Sequence, residues 1–287
     1  MNPFSPEEWK AVKRIVALAL GEDMGKAGDV TTASVLSEKI PGKAVFIAKA
    51  SGIIAGLTVA ECVFHAIDPE LQCAFEIEDG QAVGPGQRFG SVNGRLQSIL
   101  AAERTALNFM QRLSGIATLT DQFVRRVEGT GARIMDTRKT TPGLRFLEKY
   151  AVRMGGGFNH RFGLYDMVLI KNNHVDAAGG VPNVLERCFS RLRRVKSVLR
   201  VEVETRNLNE VRQALDYPVH RIMFDNMDTG RMREAVRLVG GKAETEASGN
   251  VRLDSVRGIA ETGVRFISVG CLTHSAPALD IALHLTA

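Results

Sequence analysis

The chain has 287 residues, of which 45% are hydrophobic and 24% charged. That is enough apolar material for one large core, or a core with a smaller satellite domain, and it excludes a disordered chain. No apolar run reaches the ~20 residues of a membrane-spanning helix, and the opening MNPFSPEEWK holds two acids and no basic stretch, so neither membrane embedding nor a secretory signal is expected.

The net charge is +5, and its location matters more than its size. From Arg138 to His174 there are seven lysines or arginines against two acids, so this one window carries the whole excess. A nucleic-acid surface would spread its charge, and no nucleic-acid partner is expected. Cys62, Cys73, Cys188 and Cys271 are scattered, with no CxxC pair and no zinc-like spacing. They read as buried reduced thiols in a cytoplasmic protein.

In chain order, residues 7–20 have helical apolar spacing with Gly21 as a stop. Lys43–Ala50 reads as a strand, with a turn at Ser51-Gly52. Cys73–Glu78 alternates and ends in an Asp79-Gly80 turn signal. Val83–Gly94 suggests short strands and tight turns. Ser98–Leu113 reads as a helix that is apolar on most faces, which calls for burial in a core or a subunit interface. The first ~110 residues therefore predict a small α+β domain.

Beyond residue 130 the pattern changes. Arg133–Met135, Met167–Ile170, Leu199–Val203, Arg221–Phe224, Glu244–Ala247 and Phe266–Val269 are short β-rich runs. Helical segments such as Val184–Val198 and Thr229–Val239 separate them. This alternation predicts right-handed βα units on a parallel sheet. The absence of a GxGxxG turn favours a barrel, incomplete with six strands, over a dinucleotide-binding sheet.

Each run ends in polar residues. They are Asp136-Thr137-Arg138-Lys139, Lys171-Asn172-Asn173-His174, Glu204, Asp225-Asn226, Ser248-Gly249-Asn250 and Gly270. In a βα barrel such ends meet at one mouth, where active sites are built. Arg138, Lys139, Arg161 and Lys171, with His160 and His174, form a cationic set suited to carboxylates and phosphates. Glu204 and Asp225 end neighbouring strands and suit Mg²⁺ or two sugar hydroxyls. Glu202 shares the side-chain parity of Glu204, as a second site acid or a buried Glu satisfied by a nearby base. The small residues Ser248, Gly249, Asn250, Gly270 and Cys271 let backbone N–H groups approach an anion. Gly155-Gly156-Gly157 lacks a P-loop ending and reads as a hinge or tight packing. The basic residues of Val184–Arg200 read as the wet face of a helix.

These stretches resemble the quinolinate phosphoribosyltransferase family over nearly the whole chain. GEDMGKAGDVTT (21–32), ERTALNFMQRLSGIAT (103–118), the long DTRKTTPG…NHRFGLYDMVLIKNNH segment (136–174), VEVET (201–205), FDN (224–226), EASGN (246–250) and VGCLTHSAPALD (269–280) carry the resemblance. It implies transfer of phosphoribosyl from phosphoribosyl pyrophosphate to quinolinate, with Mg²⁺, giving nicotinate mononucleotide, pyrophosphate and CO₂ in NAD biosynthesis. It implies an α/β protein with an N-terminal sandwich, residues 1–113 joined by a tail from about 275, and an open α/β barrel over 114–274. It also implies a homodimer, or a higher oligomer, in which Arg104 reaches the neighbouring site. By resemblance, Arg104, Arg138, His160 and Arg161 hold the quinolinate carboxylates, with Thr137 and His274 also in the substrate-binding set. Lys139 and Lys171 contact pyrophosphate and the reacting centre. Glu204 and Asp225 serve the ribose and, as direct or indirect ligands, magnesium. Ser248, Gly249, Asn250, Gly270 and Cys271 cradle the 5′-phosphate. Asn172 departs from the more usual acid before Asn-His, a change that falls on the local metal or water network and not on the reaction.

Overall fold

The computed structural model describes residues 3–36 and 40–286. Met1, Asn2 and the last residue of the tail, Ala287, lie outside the described residues. The chain forms two compact units.

The first unit gathers Met1–Asp121, Thr140–Gly156 and Ser275–Ala287. Helix α1 (Pro6–Met24) opens with Ser5 as N-cap, and Glu8 closes a capping box. The helix runs through Gly21, the expected stop, and ends at Gly25, whose φ of +52° suits glycine. A short helix α2 (Val30–Val35) follows, capped by Asp29. Strand β1 (Pro41–Ala48), strand β2 (Gly52–Ile53), helix α3 (Leu57–Ile67), strand β3 (Gln72–Phe75), strand β4 (Ala82–Val83) and strand β5 (Arg88–Arg95) come next. Asp79, in the expected turn, accepts from Leu57 N at the start of α3 and from the Tyr150 hydroxyl at 2.6 Å.

Helix α4 spans Leu96–Arg126 and continues well past Leu113. Ser114 and Gly115 look like breakers, but both are tied to packing. The Ser114 hydroxyl bonds Ala55 N at 2.9 Å, and any Cβ on Gly115 would collide with the Pro277 carbonyl. Gly155 likewise meets the Ala117 carbonyl, so tight packing explains the first of the three glycines.

The second unit contains Gln122–Lys139 and Gly157–His274. Its strands are β6 (Arg133–Met135), β7 (Val168–Ile170), β8 (Val201–Thr205), β9 (Arg221–Asp225), β10 (Glu244–Ser248) and β11 (Phe266–Ser268). The segment between β6 and β7 carries helix α5 (Arg145–Met154), which belongs to the first unit although it lies inside the span that the sequence assigns to the barrel. Its side chains explain the assignment. Leu147, Tyr150, Ala151 and Val152 are buried, and fully buried Glu148 accepts from Arg112 at 2.8 Å and from the Thr141 hydroxyl at 2.8 Å.

Helices α6 (Asn172–Ala178), α7 (Val181–Arg194), α8 (Leu208–Ala214), α9 (Thr229–Val239), α10 (Val256–Ala260) and α11 (Cys271–His274) connect or follow the later strands. The sheet order is β6-β11-β10-β9-β8-β7, with every pairing parallel. Closure would need β6 beside β7; among the described residues these are the two edges, so the barrel is incomplete. The tail returns to the first unit as strand β12 (Ile281–Thr286), antiparallel to β1 in a sheet of order β12-β1-β5-β3. In that unit's core the Phe46 ring stacks on Phe89 and meets Phe64 edge-on, with Phe75 tilted against it from the margin.

Candidate active site

All six barrel strands run parallel, so their C-terminal ends share one side of the sheet. There they line one cavity of about 780 Å³. From the β6 end come Thr137, Arg138 and Lys139, and from the following segment His160 and Arg161. Lys171 follows β7, Glu204 lies in β8 and Asp225 ends β9. Ser248 ends β10, Gly249 and Asn250 follow it, and Gly270, Cys271 and His274 follow β11. Arg104 is not in this set; it is an exposed residue of α4. The cavity also takes in Asn226, Arg252 and Ser268, which sequence reasoning did not assign. Asn226 had a signal, since it sits beside Asp225 in the FDN stretch.

The backbone at the strand ends is specialised. Asn226 and Asn250 have φ near +50°, a region asparagine tolerates better than most residues. Gly249 has φ +103°, and a Cβ there would run into the Asn226 side chain. Asn250 Nδ2 donates to Asn226 Oδ1 at 3.1 Å, and Asn226 Nδ2 donates to Asp225 at 3.0 Å. The turn after β10 is thus locked to the end of β9. At Gly270 a side chain would crowd His274 and the Lys139 stem. Thr273 donates its hydroxyl to the Lys139 carbonyl at 2.8 Å, fixing that loop to the β11 end.

The two acids are bridged. Lys171 Nζ lies 2.6 Å from Glu204 Oε1. Asn172 donates its backbone N–H to Glu204 Oε2 at 3.0 Å and its Nδ2 to Asp225 Oδ2 at 2.8 Å. An acid at position 172 would repel both carboxylates; the amide joins them. Arg161 donates Nη1 to the Met167 carbonyl at 3.1 Å, while its buried Nε has no acceptor among the described residues. A buried donor without a partner is costly, and an anion in the cavity would satisfy it. Burial, and then the neighbouring Arg138, hold the Arg161 pKa below its ordinary value.

Beneath the mouth lies a second charged layer. Glu202 is fully buried, as is Glu246 in β10. Arg221 at the start of β9 reaches Glu246 at 2.9 Å, Glu244 at 3.0 Å and Glu202 at 3.8 Å. It also lies over the Phe266 ring at 4.1 Å. Glu202 therefore belongs to a buried network with bases at hand. Burial, reinforced by Glu246, pushes the Glu202 pKa up to about 7. Burial opposes charge on His160, but Glu202 and Glu246 outweigh it and push that ring's pKa up. His160, Glu202 and Glu246 have metal-ligand spacing, but Arg221 on the same carboxylates makes the cluster a salt-linked one.

The parallel barrel and a mouth lined by cations, two acids and small residues define a phosphoribosyltransferase-like class. Residues 29–114 match the family described as Quinolinate phosphoribosyl transferase, N-terminal domain, and residues 116–284 match its C-terminal domain. The chain belongs to the quinolinate phosphoribosyltransferase family. It is 47% identical to a mitochondrial quinolinate phosphoribosyltransferase [decarboxylating] 2b of Nicotiana tabacum, over 96% of this chain and 82% of that one. It is 41% identical to a probable nicotinate-nucleotide pyrophosphorylase [carboxylating] of Bacillus subtilis, over 92% and 90%. The solved nicotinate-nucleotide pyrophosphorylase of Francisella tularensis superposes with a TM-score of 0.92 at 39% identity, covering 99% of this chain and 98% of that one.

Proposed function

We propose that this enzyme transfers the phosphoribosyl group of phosphoribosyl pyrophosphate to the nitrogen of quinolinate. Loss of CO₂ then yields nicotinate mononucleotide, with pyrophosphate as the other product, in NAD biosynthesis. The family supports the reaction, and the observation that carries it is the single cavity in which Arg138, Lys171, Glu204 and Gly270 meet.

Two polyanions must be gathered, and Arg138, Arg161, Lys139 and Lys171 supply the charge. Holding both substrates together lowers the entropic barrier. As the pyridine nitrogen attacks the anomeric carbon, positive charge grows on the ribose and negative charge on the departing pyrophosphate. Glu204 and Asp225 favour the first, and Lys139 and Lys171 the second. The quaternised nitrogen then stabilises the carbanion left when the adjacent carboxylate departs as CO₂, and a proton from solvent completes nicotinate mononucleotide. The open amides around Gly249 and Gly270 suit the 5′-phosphate.

Glu204 and Asp225 are hard oxygen donors drawn together by Asn172, a set that fits Mg²⁺ when substrate phosphates complete the shell. Such an ion would neutralise charge on pyrophosphate. In our reading the enzyme works as a homodimer, with exposed Arg104 serving the neighbouring site. It is cytoplasmic in our reading, supported by four free cysteines that suit a reducing compartment. Among the described residues no helix is long and apolar enough to cross a membrane. Some plant relatives carry mitochondrial or chloroplastic names, so cell fractionation tests the location.

The deciding experiment incubates the protein with quinolinate, phosphoribosyl pyrophosphate and Mg²⁺. Nicotinate mononucleotide and CO₂ in equal amounts are expected; neither product would refute the reading.

A further inference from the structure

The two acids of the mouth have a donor on every oxygen. Lys171 Nζ meets Glu204 Oε1 at 2.6 Å, and the Asn172 backbone N–H donates to Oε2 at 3.0 Å. Asn172 Nδ2 donates to Asp225 Oδ2 at 2.8 Å, and Asn226 Nδ2 donates to Oδ1 at 3.0 Å. Asn172 thus touches both acids. Its amide orientation is forced, because turning it over would set Oδ1 against the Asp225 carboxylate. In the orientation adopted, Oδ1 is buried and has no donor among the described residues. Keeping Nδ2 on Asp225 therefore leaves a buried acceptor unsatisfied, which is unfavourable by itself. Asn226 is held in turn by Asn250 Nδ2 at 3.1 Å. Lys171 differs from these donors. Its carbonyl accepts from His174 N at 2.7 Å and Val175 N at 3.1 Å, which fixes its backbone, yet its side chain is 49% exposed. It alone among the donors carries a full charge on a long, solvated stem.

We propose that Asn172 and Lys171 are positioning residues that keep Glu204 and Asp225 closed to a bare divalent cation, and that the pair opens only when a polyphosphate draws the lysine away. Each carboxylate oxygen keeps a second lone pair, so the obstacle is charge and not a count of bonds. The Lys171 ammonium repels any cation on the same carboxylate. Asn172 turns amide hydrogens towards both acids and so relieves their mutual repulsion without an ion. Pyrophosphate offers the ammonium a more heavily charged partner, and that exchange uncovers Glu204 Oε1. The inference rests on the Mg²⁺ role proposed above and adds which residues of this chain set the order of binding.

Mn²⁺ serves as the probe, because protein-bound ion is read from the relaxation of water protons with no turnover required. The unaltered protein alone should show no saturating Mn²⁺ binding below about 1 mM. Inorganic pyrophosphate should bring Mn²⁺ onto the protein at a concentration lower by ~tenfold or more. Asn172→Ala removes the Nδ2 donor and adds no charge, while Lys171→Met uncovers Oε1. Each should tighten binding of the bare ion ~tenfold, the size of one contact to a charged group. A merely structural role for Asn172 predicts the opposite sign, since two unclamped acids would drift apart and hold the ion less well. Melting curves confirm that the variants fold, and Lys171→Met with the unaltered protein carries the test if Asn172→Ala does not. Tight Mn²⁺ binding to the unaltered protein alone, no effect of pyrophosphate, or no tightening in any folded variant would overturn the proposal and leave the reaction standing. Nicotinate mononucleotide formed equally well with a chelator present would instead sink the Mg²⁺ role itself, and the order of binding with it.

Discussion

Glu202 and Glu204 leave β8 two residues apart, and strand geometry points both to the same side. Glu204 reaches the cavity, where its partner Lys171 has a side chain 49% exposed. Glu202 lies deeper, where the Arg221 side chain is 9% exposed and shared among three glutamates. The residue types are alike in the two layers, and water separates their roles. At the mouth, a solvated cation can exchange a glutamate for a substrate phosphate at little cost. In the deeper layer, removing Arg221 leaves the fully buried Glu202 and Glu246 without their guanidinium.

The largest effect should follow from breaking the inner layer. Arg221→Met leaves Glu202 and Glu246 without their guanidinium and should cost about 3–5 kcal/mol of folding stability. Denaturant unfolding measures it, and a loss below about 1 kcal/mol would show that the inner layer is as exchangeable as the mouth. Next in size is Lys139→Ala at the mouth. Turnover should fall ~100-fold or more, while quinolinate affinity changes only a few-fold, if this lysine acts on charge that develops during reaction. Equal losses in both would remove Lys139 from the chemical step.

Gly249→Ala should come third. Its φ of +103° and the collision with Asn226 both penalise a side chain. The displaced Asn226 would disturb Asp225 and Asn250 together. We expect the KM for phosphoribosyl pyrophosphate to rise ~tenfold, from 1–2 kcal/mol of strain, with quinolinate little affected. A uniform rise for both substrates would mean that the turn supports the whole mouth and not a phosphate cradle.

The two layers were not equally legible in the sequence. The mouth shows because polar residues follow each short apolar run, and β6 and α9 fall on their expected limits. The inner layer does not, because its partners meet only through register. Glu202 stands opposite Arg221 in the β8–β9 pairing, a fact that no spacing along the chain contains. The parity of Glu202 with Glu204 could be read, but the identity of its base could not. The first unit hid its elements for a related reason. Helix α4 continues through Ser114 and Gly115 because distant segments occupy the space beside them. Strand β12 needs β1 as a template, and α5 sits within a stretch whose DTRK motif belongs to the barrel.

The smallest stability effect should come from the mouth's own ion pair. Lys171 and Glu204 touch at 2.6 Å, closer than any contact of Arg221 with its glutamates, and distance alone would rank this pair first. Solvent reverses that ranking. The Glu204 carboxylate is itself only 9% exposed, but in Lys171→Met it keeps the Asn172 N–H and faces the cavity, so folding stability should fall by no more than about 1–2 kcal/mol. Activity should still fall, because the lysine's task is to meet a ligand and not to hold the barrel. The same denaturant titration used for Arg221→Met reads this out. A loss of 3 kcal/mol or more in Lys171→Met would erase the distinction between an exchangeable mouth and a permanent layer.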